Sequence, residues 1–438
     1  MHTLAQLRAG QLHGLKRLDM SAGLTEFPRE IFALADTLEI LNLSGNALSA
    51  LPDDLPRLHR LRVLFCSDNH FTEVPAVLGQ CAQLSMVGFK VNLIHTLPAA
   101  ALPPQLQWLI LTDNQLESLP AEIGRCQQLQ KLMLAGNRLT ALPDTLADCH
   151  RLELLRVAAN QLAELPKRLL TLPRLAWLAY AGNPLGEAAE AAALASHPIS
   201  RIPWHELRLE QQLGEGASGV IYRAQRHLPA PTPVAVKLFK GNVTSDGLPH
   251  SEMAACMSAG PHPNLIAVQG RISGHPTGAE GLVLDLIDPS FGNLAGPPSL
   301  ATCTRDVYPA STEFRLETAL RIAVGIASAA GHLHAQGILH GDLYAHNILY
   351  TPAGEALLGD FGAACFYNPG QVEVAPALQQ LEVRAFGCLL EELLTRCPEA
   401  DATPAAGAAL WNLQQRCVQP QVSARPLFGE INRVLERM

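Results

Sequence analysis

The first half of the chain predicts an α/β solenoid of stacked coils, and the second half predicts a separate domain. Three observations carry this. Seven asparagines, Asn46, Asn69, Asn92, Asn114, Asn137, Asn160 and Asn183, recur at an almost constant step, which shortens by a single position only between Asn92 and Asn114. Such a period is the signature of a repeat architecture. Each Asn closes one frame of leucines: Leu38, Leu41, Leu43, Asn46, Leu48 and Leu51-Pro52 return as Leu106, Leu109, Leu111, Asn114, Leu116 and Leu119-Pro120, and again from Leu129 to Pro143. After His197-Pro198 the period stops and unrelated motifs begin.

Within a coil, the Leu-x-Leu segment is a short strand whose alternate side chains point inward. The Asn amide stands at the following turn, where it can satisfy backbone groups that the curving chain leaves unpaired. The Leu-Pro step ends the turn, because Pro has no backbone donor. One coil cannot bury its leucines alone, whereas a stack makes a continuous core. The frame resembles the leucine-rich repeat family in its form with a Leu-Pro step, with eight units between Leu15 and Leu185. The first unit keeps Leu15, Leu18 and Met20 but has Gly23 in place of the Asn, as terminal repeats often depart from the frame. Residues 1–14, with Leu4, Leu7 and Leu12, are expected to cap one end, and the Ala-rich Gly186–Ser196 to close the other as a helix. The expected domains are a leucine-rich repeat horseshoe over 1–196, a linker over 197–203 and a second domain over 204–438.

The residues between the inward leucines predict a concave face that binds a protein partner. Ile40, Val63, Phe65, Met86, Trp108, Ile110, Met133, Leu154 and Trp177 supply apolar surface, with Lys90, Lys131 and Arg156 the main charges. Contiguous exposed apolar surface marks binding sites, and Trp is favoured at their centres. The alternative is that the second domain or the N-terminal cap folds over this face.

Composition narrows the function. The net charge of −8 argues against a nucleic-acid binder, which carries a basic stripe. No apolar run is long enough to span a membrane, and no secretory signal is visible at Met1–Gly10. The ten cysteines, among them Cys66, Cys81, Cys126, Cys388 and Cys417, have no metal-ligand spacing. They read as reduced, mostly buried thiols of a cytoplasmic protein.

The second half holds the chemistry. Gly214-Glu-Gly216-Ala-Ser-Gly219-Val220 is followed by Val234-Ala235-Val236-Lys237 on a strand-like run. Then come His340-Gly341-Asp342-Leu-Tyr-Ala-His-Asn347 and Asp360-Phe361-Gly362. This order and spacing resemble the protein-kinase family over about Pro203 to Met438. The lead-in Ile202-Pro-Trp204-His-Glu-Leu207 is similar to that of tyrosine-kinase-like Ser/Thr kinases.

The resemblance implies a bilobal α+β fold that uses ATP and Mg²⁺ to transfer a γ-phosphoryl group, Ser/Thr hydroxyls being the favoured acceptors. Phosphoryl transfer is mostly positioning and charge neutralisation. Gly214, Gly216 and Gly219 would let backbone amides approach the phosphates without a Cβ in the way, and Val220 and Ala235 are further expected nucleotide-binding residues. Lys237 would bring a positive charge to the phosphates, oriented by Glu252 on the next helix. Asp342 would act on the acceptor hydroxyl, and Asn347 and Asp360 would hold Mg²⁺. Leu284 would stand before the hinge, where the backbones of Asp285 and Ile287 would pair with adenine.

Several positions depart from the family. Gly341 stands where an Arg answers a phosphate on the activation segment, and Ala363–Gln380 contains no Ser or Thr, only Tyr367. The stretch from Asp360 to Glu382, where the next helix is expected to open, is short for the family, and Ala375-Pro376-Ala377 is a poor remnant of Ala-Pro-Glu. Arg425 survives without its Glu partner. Tyr344 replaces the Lys of Ser/Thr kinases, which leaves the acceptor type open. Residues 288–313 read as a solvent-exposed loop without function. His332 and His334 fall on different helix faces, which disfavours a metal site, and His340 reads as packed structure. Three function classes follow: an active protein kinase whose solenoid recruits protein, an ATP-binding pseudokinase scaffold, or a kinase-fold enzyme acting on a small molecule.

Overall fold

A computed structural model describes residues 2–438 except 197–199, 217, 228–229, 241–242, 245 and 399–403; for 404–405 it describes the backbone alone. The chain divides into two compact units, Met1–Leu172 and Pro173–Met438. The boundary expected after Ser196 therefore falls one coil earlier, and the last repeat belongs with the second unit.

The first unit opens on α1 (Leu4–Arg8). Thr3 and Gln6 form a capping box there, each side chain accepting the other's backbone N–H. Leu7 and Leu12 are buried, as a cap requires. Seven three-residue strands follow in parallel register: β1 (Arg17–Asp19), β2 (Ile40–Asn42), β3 (Val63–Phe65), β4 (Met86–Gly88), β5 (Trp108–Ile110), β6 (Lys131–Met133) and β7 (Leu154–Arg156). Their central residues, such as Leu41, Leu64, Leu109 and Leu132, are buried in the core.

The asparagines do what their spacing predicts. Asn137 Nδ2 donates to Leu111 O and Leu134 O, both at 2.9 Å, and its Oδ1 accepts from Leu116 N at 3.0 Å. One amide thus pairs backbone groups of two adjacent coils. A buried backbone group left unpaired costs about 1–3 kcal/mol, so each rung matters. The residue before each of these asparagines adopts positive φ. Gly takes that position at Gly45 and Gly136, but Asp68, Val91, Asp113 and Ala159 take it too. For these L-residues the conformation costs roughly 1–2 kcal/mol each. The return legs are short 3₁₀ pieces, such as Ala121–Arg125 and Asp144–Asp148, and the Pro of the Leu-Pro step is their N-cap.

The concave face is more tightly packed than expected. Val63, Met86, Met133, Leu154 and Arg156 are buried, and Ile40, Phe65, Trp108 and Ile110 are half-buried. Lateral packing along the ladder covers Phe65 and Trp108. The Phe65 ring lies over Gly88, its register partner, where a Cβ would come within 2.6 Å of the ring. Lys131 Nζ lies 4.3 Å from the Trp108 ring centre. Trp177 is a correction: it is only 2% exposed and is no part of an open surface, because its Nε1–H donates to Leu343 O within the second unit.

The second unit begins with that coil, β8 (Trp177–Ala179) and α2 (Pro184–Ser196), the closing helix expected from the Ala-rich run. A six-stranded sheet follows in the order β10-β11-β12-β14-β13-β9, built from β9 (Arg201–Pro203), β10 (Leu207–Glu215), β11 (Gly219–Arg226), β12 (Thr232–Phe239), β13 (Val268–Ser273) and β14 (Gly281–Asp285). The expected linker is corrected here. Residues 197–199 lie outside the described residues, but β9 pairs parallel with β13, and Ile202 packs with Leu207, Val234, Val236 and Val283. α3 (Pro249–Ser258) crosses between β12 and β13 in sequence.

The larger lobe contains β15 (Gly292–Asn293), α4 (Leu316–Ala335), β16 (Ile338–Leu339), β17 (Ile348–Tyr350), β18 (Ala356–Leu358), β19 (Cys365–Phe366), α5 (Val374–Leu394), α6 (Pro404–Cys417) and α7 (Phe428–Leu435). Two expectations change. The helix expected to open at Glu382 opens at Val374, so Ala375-Pro376-Ala377 lies in its first turn, where Pro is tolerated. Residues 288–313 are not simply a solvent-exposed loop: Leu294, Cys303, Thr304, Asp306 and Tyr308 are buried. Arg305 binds Glu391, Glu392 and Cys388 O on α5, and the Tyr308 hydroxyl donates to Glu392.

Candidate active site

Alternation on β12 sends Ala235 and Lys237 to one face of the sheet. Lys237 Nζ donates to Glu252 Oε1 on α3, and both side chains are nearly inaccessible to solvent. Burial works against the Lys237 ammonium, but the carboxylates of Glu252 and Asp360 outweigh it and raise its pKa. A cavity of about 150 Å³ opens beside the pair. Its lining includes Gly216, Gly219, Ile221, Leu282, Leu284 and Asp360.

Gly219 is required where it stands, since a Cβ there would come within 2.5 Å of Leu238 O. At Gly214 and Gly216 a Cβ would meet nothing, so those positions leave the turn open. Ala235 is buried opposite Leu284. Val220 is displaced from its expected role: it pairs with Leu238, whereas Ile221 pairs with Lys237 and so faces the cavity. Only the β11–β12 register, which sets Ile221 opposite Lys237, identifies it. Asp285 ends β14 with its backbone N–H donating to Ala267 O and its carboxylate accepting from Gln269. Ile287 lies beyond the strand, and neither residue lines the cavity.

The loop after β16 carries the second cluster. His340 is fully buried; its Nε2–H donates to Gly359 O at 2.8 Å, and its Nδ1 accepts from Asp342 N at 3.3 Å. Two backbone partners therefore set its tautomer, and it is the packed residue expected. Asn347 Nδ2 donates to Asp342 O and to Asp342 Oδ2, at 2.9 and 2.8 Å. Asp360 has φ of 54°, a strained conformation of the kind that collects at functional sites. The geometry thus gathers Lys237, Glu252 and Asp360 at the cavity, and Asp342 with Asn347 on the loop beside it. His332 binds Ala259 O, and His334 Nε2–H donates to Glu382 Oε2 at 2.7 Å.

Asp306 escaped the sequence reading. Its carboxylate accepts from His346 N at 2.9 Å and His346 Nδ1 at 2.7 Å, tying down the residue before Asn347. Burial works against the His346 imidazolium, but Asp306 first, then Asp342 and Asp360, outweigh it and raise its pKa. Nothing in the Gly- and Pro-rich run around Asp306 signalled this.

The departures noted in the sequence have structural counterparts. Gly341 has φ of 71°, and its N–H donates to Glu382 Oε1 at 2.6 Å. Burial pushes the Glu382 carboxyl up, but the hydrogen bonds from His334 and Gly341 more than reverse it, and its pKa lies below the usual value. Tyr367 is buried, its hydroxyl donating to His334 O and accepting from Gln379. Arg425 spends its guanidinium on the carbonyls of Gln419, Gln380 and Pro173. Burial, then the nearby Arg384, lowers its pKa to about 10.

Comparison with known proteins finds matches in both halves of the chain. Residues 207–384 match the family described as protein tyrosine and serine/threonine kinase. Residues 37–58 and 104–162 match leucine-rich repeat families. The chain carries leucine-rich repeats and a protein-kinase domain. Among its relatives is a Dictyostelium discoideum protein described as a probable inactive serine/threonine-protein kinase roco10, 32% identical over 123 residues, which is 27% of this chain and 5% of that protein. Mouse leucine-rich repeat and calponin homology domain-containing protein 1 is 34% identical over 119 residues, 26% of this chain and 17% of that protein. The Drosophila melanogaster protein phosphatase PHLPP-like protein is 34% identical over 114 residues, 25% and 12%. The chain thus spans less than a fifth of each of these relatives. The kinase domain's family generally works with ATP and Mg²⁺, and leucine-rich repeats are a common protein-interaction scaffold. No described helix is long and apolar enough to cross a membrane.

Proposed function

We propose that the chain is an ATP- and Mg²⁺-dependent protein kinase that transfers the γ-phosphoryl group to a protein hydroxyl, Ser/Thr favoured. The observation that carries this is the Lys237–Glu252 ion pair lining one cavity together with Asp360. Asp342, Asn347 and Asp360 complete the set needed to orient a hydroxyl and neutralise phosphate charge. Asp360 and Asn347 suit Mg²⁺ chemically. Asn347 directs its amide N–H groups to Asp342, which leaves its Oδ1 with no donor among the described residues, and Mg²⁺ takes such hard oxygens. When bound, the ion would neutralise charge on the phosphates. A cytoplasmic location fits ten cysteines that all remain thiols.

Transfer should not need a phosphorylated activation segment. Gly341 has no side chain to answer a phosphate, and the Tyr367 hydroxyl is buried between two partners. With radiolabelled ATP and a generic protein acceptor, phosphatase-treated protein and Tyr367→Phe should both transfer label at the wild-type rate. A large loss in both would overturn this independence. No transfer by wild type, with ATP still bound, would favour the nucleotide-binding scaffold; the Dictyostelium relative is described as a probable inactive kinase. Label passing only to a small hydroxyl compound would favour the third class.

The solenoid would recruit a protein partner through the half-buried side chains around Phe65 and Trp108. Joint Phe65→Ala and Trp108→Ala should weaken that partner's binding by roughly 10- to 30-fold, as for central aromatic anchors, with the melting transition kept. A lowered melting temperature without loss of a partner would assign these rings to packing instead.

A further inference from the structure

The last repeat coil reaches three separate parts of the phosphotransfer site, all within the second unit. Trp177 on β8 is buried and donates its Nε1–H to Leu343 O at 3.1 Å. Its indole stacks on Tyr344, with ring centres 4.2 Å apart and planes 6° from parallel. Leu343 and Tyr344 directly follow Asp342. Tyr180 donates its backbone N–H to Cys365 Sγ at 3.0 Å and its hydroxyl to Phe366 O at 3.2 Å, both on β19 in the activation segment. On α2, Glu190 accepts from Ser251 Oγ at 3.3 Å, with His250 Nε2 at 3.9 Å. Ser251 immediately precedes Glu252, the partner of Lys237.

We propose that Trp177, Tyr180 and Glu190 are positioning residues of this site, so that the final coil and α2 hold the catalytic loop, the activation segment and α3 in the transfer-ready arrangement. The proposal rests on the protein-kinase reading. None of the three lines the nucleotide cavity, so they act through the residues they hold. The coil takes up a task that an activation-segment phosphate cannot perform here. Gly341 cannot pair with one, and the segment's one hydroxyl, on Tyr367, is already buried. Gly341 itself fits the same device, since Leu178 O of β8 lies 2.8 Å from where its Cβ would stand. A buried stack and a hydrogen bond to a main-chain carbonyl fix the loop directly, and a misplacement of about 1 Å at a reacting group can cost about 100-fold in rate.

The test uses the full chain with Trp177→Ala, Trp177→Phe and Tyr180→Phe. It measures kcat and KM for ATP with a fixed acceptor, and amide hydrogen exchange over Gly341–Asn347 and Cys365–Tyr367. Trp177→Ala should lower kcat by about 10- to 100-fold with KM for ATP within about twofold, and should speed exchange in the catalytic loop. Trp177→Phe keeps a ring on Tyr344 and should recover much of kcat. Tyr180→Phe removes one hydroxyl and should speed exchange around Phe366 in a protein that remains folded. Unchanged kcat and unchanged exchange in Trp177→Ala would overturn the proposal. A raised kcat would also overturn it, by making the coil an inhibitory cover. Should Trp177→Ala fail to fold, the two conservative variants decide by the same readouts. If wild type transfers no phosphate, the kinase reading fails on its own, and exchange alone still decides whether the coil holds these loops.

Discussion

Asp342→Asn is expected to lower phosphoryl transfer by about 10²- to 10⁴-fold while ATP affinity stays within about twofold of wild type. Asp342 is not among the residues lining the cavity, whereas Lys237 and Asp360 are. Its carboxylate is placed by the Asn347 amide, and its backbone N–H by His340. An Asn side chain has nearly the same shape, so the loop should keep its form. What it loses is the charge that draws a proton from the acceptor hydroxyl. Initial rates with calorimetric ATP binding check this. Equal turnover by wild type and variant would remove Asp342 from the mechanism. A parallel loss of ATP affinity would move its role to holding the nucleotide.

Gly341→Arg, which restores the residue usual at this position in protein kinases, should destabilise the kinase domain. A Cβ at residue 341 would stand 2.4 Å from Ala363 O and 2.8 Å from Leu178 O, and φ of 71° is unfavourable for any L-side chain. Both contacts are with backbone, so neither can swing aside. Strain and overpacking together should cost roughly 3–5 kcal/mol. For a unit of this size that lowers the melting temperature by roughly 6–15 °C. Gly341→Ala should reproduce most of the loss, because the Cβ alone makes the clash. Scanning calorimetry decides, and an Arg variant that melts with wild type would refute the packing described here.

The solenoid was legible because its signal is local and repeated. Asn137 must pair the backbone of its own turn and of the preceding coil, and that need recurs wherever a coil turns. Leu132 and Leu155 likewise follow from strand alternation alone. In the kinase domain, Lys237, Glu252, Asp342, Asn347 and Asp360 were named from the ordered motifs of the resemblance; in the structure Lys237, Glu252 and Asp360 line one cavity and Asn347 bonds Asp342. Val220 was preferred to Ile221 for want of a register, which β11–β12 pairing supplies. Asp306 was missed because its partner His346 lies 40 residues away in sequence.

The sequence by itself determined the repeat architecture and the kinase resemblance, because each is written in short-range spacing or in ordered motifs. Only the tertiary structure decided that the last coil belongs to the second unit, that Trp177 is stacked on Tyr344 instead of open to a partner, and that Gly341 is dictated by carbonyls of Ala363 and Leu178. Those facts depend on which surfaces meet across long stretches of chain, as Trp177 and Leu343 do at a separation of 166. The apolar pattern states that Trp177 prefers to be covered; which surface covers it is settled by packing.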